Sequence, residues 1–225
     1  MRPLSSASGR KRTLESKSGV APHNGLIPSN PATMLRLTLD TNAIVAIEED
    51  RPAATAIRQL VNAHAQGRID VALVAISASE RQRAGEIENF DIFRERLARL
   101  KLDHLSLLRP IAYFDLTFWD WCLWSDETMI ELETKIHNVL FPNRASLPPE
   151  GTPQLPHDQR PDEYWKWRNR KCDVLALWSH IYAGRDVFLT SDGNFRKVTK
   201  LPALITLGAG RIEDLADAHA LIANS

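Results

Sequence analysis

Short apolar runs that alternate with helix-period segments constrain the fold of this chain more than any other feature. The runs fall at 35–39 (LRLTL), 70–77 (DVALVAIS), 109–116 (RPIAYFDL), 186–190 (DVFLT) and 202–207 (PALITL). The second is continuously apolar after its first residue, as expected of a strand covered on both faces. Helical patterns lie between them. Pro52 opens one in which Ala56, Leu60, Val61 and Ala63 share a face and Gly67 marks the end. A charged pattern runs over 78–102 with a break near Asn89, an aromatic and acidic stretch over 119–141 is helical in part, 162–184 holds one or two helices stopping at Gly184, and 211–223 closes the chain. Strands alternating with helices predict a mainly parallel five-stranded sheet in a three-layer α/β/α sandwich. Residues 142–161 form a proline-rich loop of a length that compact domains reserve for functional or disordered segments.

Charge is distributed unevenly. Of a net charge of +0, residues 1–33 carry five Lys/Arg and one acid, leaving 23 against 27 in residues 34–225. The first segment is rich in Ser, Pro, Gly and basic residues and too poor in apolar ones to order itself, so we expect a disordered tail followed by a domain over 34–225 with an insertion at about 119–161. The body is net acidic, so a polyanion would need a local groove. Two cysteines, Cys122 and Cys172, form no zinc or disulfide pattern and suit a reduced, cytoplasmic setting. No apolar run of about 18 residues is present, which argues against a membrane span.

Within this frame one carboxylate is out of place for a solubilising charge: Asp40 stands between two apolar runs, at the carboxyl end of the first strand. Open α/β sheets put their ligands at such ends. Only acids at strand ends or early in the following helices can share that crevice, and Glu80, Asp173 and Asp192 qualify. Each also has a plain structural reading. Ser77 and Glu80 fit a capping box, Asp173 an N-cap, and Asp192 before Gly193 an Asx turn, whereas nothing capping-like follows Asp40. Carboxylates that close repel one another unless a cation offsets them, and an all-oxygen set suits Mg²⁺ or Mn²⁺ rather than zinc.

The segments LDTNAIVAI, ISASER, CDVLALW and FLTSDGNF resemble, in order, the acidic motifs of the PIN-domain ribonucleases, over about residues 35–210. The resemblance implies a metal-dependent endoribonuclease with Asp40, Glu80, Asp173 and Asp192 as metal-binding carboxylates and Asn42, Thr190 and Asn194 as supporting polar groups. It also implies Mg²⁺ (or Mn²⁺), RNA as substrate and, as in the toxin–antitoxin members, an inhibitor protein or a second copy of the chain as candidate partners. Glu80 and Asp173 stand 93 positions apart, farther than in compact members, because of the insertion.

Other residues compete for function. YWKWRNRK places Lys166, Arg168, Arg170 and Lys171 beside Trp165 and Trp167, directly before Asp173. It reads either as a phosphate-gripping and base-stacking track or as a solvated helix face with buried tryptophans. Asp115 is a further strand-end acid, and Trp119, Trp121 and Trp124 suit a core, an interface or a stacking platform. The seven histidines are scattered without metal-ligand spacing. A non-catalytic RNA- or protein-binding module on the same fold is the alternative function. An aspartyl-phosphate hydrolase would need a second acid two residues after the first, where Asn42 stands.

Overall fold

Leu37 and Leu39 of strand β1 (Arg36–Leu39) enter one apolar core, while the Thr38 hydroxyl between them meets the His180 ring on the opposite face. The same division holds in β2 (Asp70–Val74), where Val71 and Leu73 oppose Val74, and in β4 (Val187–Leu189), where Val187 and Leu189 oppose Phe188. Period-two side chains with apolar groups on both faces require helices on both sides. The computed structural model describes residues 34–80 and 87–223, within one compact unit, Met34–Ser225. The expected disorder of 1–33 and the helical reading of 81–86 lie outside the described residues.

The five strands are all parallel, in the order β3-β2-β1-β4-β5, with β3 at Ser106–Leu108 and β5 at Arg211–Glu213. On one face lie α1 (Thr41–Glu48), α2 (Ala54–Ala65), α3 (Phe90–Arg99) and the short α7 (Ala218–Ala223). On the other lie α4 (Glu127–Leu140), the 21-residue α5 (Asp162–Tyr182) and α6 (Leu201–Leu204). This is the expected three-layer α/β/α arrangement. Because the chain leaves β1 toward β2 and β3 and returns on the other side as β4, the connections diverge between β1 and β4 and open a crevice at their carboxyl ends.

The third and fifth strands differ from the sequence expectation. Residues 109–116 are not a strand: Pro110 has no N–H to give a ladder, and only Ile111 forms a lone bridge, to Leu123. The third strand is instead the SLL just before them. Residues 202–207 are helical because Pro202 sits in the first turn, where its fixed φ suits a helix and its missing N–H costs nothing. The fifth strand starts after Gly210, within the segment expected to be a closing helix. A Cβ on Gly210 would lie 2.4 Å from the Asp186 carbonyl, at φ 58, so only glycine allows this entry into β5.

The amino ends of the strands are tied by one buried side chain. Arg185 donates through Nε and Nη2 to the Leu37 carbonyl, through Nη1 to Asp70 Oδ2 (2.9 Å) and through Nη2 to the Asp70 carbonyl (2.6 Å). Asp186 reinforces it by accepting the Arg36 N–H at 2.8 Å. Among the described residues, no helix is long and apolar enough to cross a membrane.

Candidate active site

Asp40 is the last residue before α1, and its own N–H reaches the Leu189 carbonyl of β4 at 3.1 Å, so it stands at the divergence of β1 and β4. Its carboxylate is buried. Oδ1 accepts the Thr41 N–H at 2.7 Å; Oδ2 accepts the Thr190 hydroxyl at 2.7 Å and the Asn42 amide at 3.1 Å. Asp40 thus also caps α1, a role its sequence neighbours did not advertise. Burial raises its pKa, those three hydrogen bonds oppose the rise, and the charge of Asp192 adds to it.

Thr190 links the two strand ends. While donating to Asp40 it accepts the Asp192 N–H at 3.0 Å. Asp192 Oδ1 in turn accepts the Asn194 N–H at 2.8 Å, the Asx turn expected of this acid before Gly193. Both expected supporting groups around Asp40, Asn42 and Thr190, therefore touch it, and Asn194 touches Asp192.

Glu80 arrives differently from the sequence expectation. There is no capping box: Ala75–Ser79 is a 3₁₀ turn, the Ser77 hydroxyl pairs with the Thr41 hydroxyl at 2.7 Å, and Glu80 follows that turn in extended conformation. All five side chains of this turn, Ser77 and Ser79 among them, are buried. Burial and then the charge of Asp40 push the Glu80 carboxyl up to about 8, against a hydrogen bond from Thr41 and the charge of Arg96.

Asp173 is not an N-cap either. It lies inside α5, which runs unbroken past it because YWKWRNRK has no helix breaker and buries its own aromatics. From mid-helix its carboxyl is held well above the usual range by burial, then by the charges of Glu80, Asp40 and Asp192, with Arg170 opposing. Four acids from four separate segments thus share one electrostatic neighbourhood at the divergence of the strands. Among the described residues, no group of three or more His, Cys, Asp or Glu side chains is arranged to hold a metal ion.

Four of the six candidate side chains in the basic-aromatic stretch are buried, the tryptophans as the second of its two readings expects. Trp165 and Trp167 are buried and donate to the carbonyls of Arg160 and Ser146. Arg168, also buried, donates to the Ser79 carbonyl at 2.9 Å and the Asp115 carbonyl at 2.7 Å, so it fixes the backbone next to Glu80. Lys171 is 1% exposed and ion-paired to Glu133 at 2.6 Å. Only Lys166 and Arg170 of the set reach solvent; the tryptophans are covered from the insertion loop, Arg168 from Ser79 and Asp115, and Lys171 from α4. Asp115 is bound by Arg160 and the Tyr164 hydroxyl and takes no part in the carboxylate group. Trp121 stacks on Phe90, whereas Trp119 and Trp124 are 55% and 80% exposed.

Sequence reasoning missed Thr41 and Ser77, whose paired hydroxyls lie between Asp40 and Glu80. Both stand inside the quoted motifs, so the signal was present but small polar residues there read equally as caps. Compared with known proteins, the chain matches no family model, no curated protein and no solved structure.

Proposed function

We propose that the protein is a metal-dependent endoribonuclease of the PIN-domain type. The observation that carries the reading is the convergence of acids from β1, from the turn after β2 and from α5 on the turn after β4: burial first, and then the charges of neighbouring acids including Asp192, raise the carboxyls of Asp40, Glu80 and Asp173. A fold does not hold such acids together for stability, since each raises the cost of ionising the next.

By donor chemistry, though not by the spacing of the side chains as they stand, the set suits a hard divalent cation. It is all oxygen, and Asp40 uses three of the roughly four lone-pair positions of a carboxylate, leaving one free. Asp40, Glu80, Asp173 and Asp192 would hold the ion, which would lower the pKa of a bound water and stabilise the leaving oxygen of the phosphodiester. Thr190 and Asn42 keep Asp40 oriented, Thr41 steadies Glu80, and Arg168 fixes the chain before Glu80 through the Ser79 carbonyl. Without a cation Glu80, at about 8, keeps its proton at neutral pH and is poised to release it when positive charge arrives.

A second reading, a non-catalytic RNA- or protein-binding module, is favoured by the lack of a chelating group among the described residues. Incubating labelled RNA with pure protein in EDTA, Mg²⁺ and Mn²⁺ separates the two. Cleavage confined to the metal arms and lost in Asp40→Asn supports the nuclease. Intact RNA in every arm supports the module.

A further inference from the structure

Next to the carboxylates lies a groove of about 460 Å³ lined by Leu140, Phe141, Pro142, Asn143, Arg144, Asn194 and Lys200. It is contiguous with the site: Asn194 donates its N–H to Asp192 and accepts the Lys200 ammonium on its side-chain oxygen. Among the described residues, the positive groups around it have no carboxylate in direct ion-pair contact. Lys200 is held by neutral acceptors, Asn194 Oδ1 and the Leu140 carbonyl, and its nearest charges are Lys197 and Asp192. The Arg144 side chain has no ion-pair partner among the described residues. Burial and then the repulsion of Arg144 lower the pKa of Arg170, against the attraction of Glu163 and Asp173, and its Nε is buried with no hydrogen-bond partner.

Cations without a direct ion-pair partner beside an acidic cluster form a complement to a polyanion whose neighbouring unit occupies that cluster. The apolar Phe141 and Pro142 add a surface for a sugar or base, and the volume suits one nucleotide of a single strand rather than a duplex. We propose that this groove is the nucleic-acid track: Arg144 and Lys200 from its lining, with Arg170 (the one residue of YWKWRNRK it uses, whose charge interacts with that of Arg144), seat the backbone phosphate next to the one presented to Asp40, Glu80, Asp173 and Asp192. The assignment rests on the nuclease reading for what happens at the carboxylates, but not for binding itself.

Binding is therefore measured apart from cleavage. Anisotropy of a labelled 12-nucleotide single-stranded RNA is recorded in EDTA at several salt concentrations for the parent, Arg144→Gln/Arg170→Gln, Lys200→Gln and Lys166→Gln. The double variant is expected to lose at least tenfold in affinity at low salt. Its slope of log K against log salt should fall by about 0.7, since one single-strand phosphate is no longer neutralised. Lys200→Gln should lower it by about half as much, and Lys166→Gln, on the exposed face of α5, should leave it unchanged. Thermal melting of each variant excludes a folding defect. An unchanged slope in folded Arg144→Gln/Arg170→Gln and Lys200→Gln, or a parent that does not bind the RNA, overturns the groove. Salt-dependent binding through it without cleavage in Mg²⁺ would keep the groove and remove the nuclease.

Discussion

Lys171 Nζ lies 2.6 Å from Glu133 Oε1, and both side chains are almost wholly buried. The pair joins α4, the helix of the insertion, to α5 two residues before Asp173. Lys171 also rests over the Tyr113 ring, 4.7 Å from its centroid. A cation sealed here cannot search for RNA; it aligns α5, and so sets where Asp173 emerges.

Breaking this pair from one side should be costly. Lys171→Met or Glu133→Leu alone leaves a buried unpaired charge and is expected to lose about 3–5 kcal/mol, whereas the double replacement recovers most of it. Urea unfolding of the three variants gives the comparison. Additive single effects in the double variant would show that the two groups are not coupled.

Stability without metal should fall with rising pH. The Glu80 carboxyl, at about 8, lies above its ordinary value, so between about 4.5 and 8 the folded state holds a proton that the unfolded chain has released. Stability then declines as pH rises through that window, and Asp40 and Asp173 shift the same way. Melting temperatures in EDTA should be higher at pH 5 than at pH 8, with a shallower decline in Glu80→Gln. Mg²⁺ should recover more at pH 8 than at pH 5. A parent that stabilises on going from pH 5 to 8 would contradict the burial of these acids.

Thr190→Val removes the hydroxyl that donates to Asp40 and accepts from the Asp192 N–H. We expect cleavage to drop by at least tenfold with the Tm within a few degrees of the parent. Asp40 also loses the largest of the hydrogen bonds opposing its elevated pKa, so the ascending limb of the pH–rate profile should move to higher pH. An unmoved profile would assign Thr190 to the strand end alone.

Gly210→Ala places a methyl group 2.4 Å from the Asp186 carbonyl in left-handed backbone, and should cost well over about 1 kcal/mol. Gly184→Ala, at φ 59 with open space around it, isolates the backbone contribution and should cost less. Equal losses in thermal denaturation would show that the close approach of β5 to Asp186 is readily relaxed.

Much of the frame was legible because it depends on local pattern. The first, second and fourth strands, α2 with its stop at Gly67, and the long helix before Gly184 follow from apolar spacing and glycine. RPIAYFDL and PALITL misled because apolar content was weighed ahead of proline, which removed the ladder from the first and opened a helix in the second. Asp40 and Asp192 were legible as strand-end charges, and Glu80 and Asp173 as acids near the start of a helical segment. Their local roles were not, since capping of α1 by Asp40 and the 3₁₀ turn before Glu80 depend on how tightly the chain turns off each strand. The basic stretch could not be resolved at all from composition: Arg168 is buried against Ser79 and Asp115 and Lys171 against Glu133 of α4, all far away in sequence.

The Arg185 fastening has a consequence for how this molecule can change. With the amino ends of β1, β2 and β4 bound through one guanidinium, integrity of the sheet is secured at the end remote from the acids. Substitutions at the opposite rim can then alter what is recognised there without unravelling the strands, while exchange of Arg185 should be poorly tolerated in any variant. A saturation scan of the chain would accordingly divide along the strand axis, with foldedness lost at one end and specificity drifting at the other.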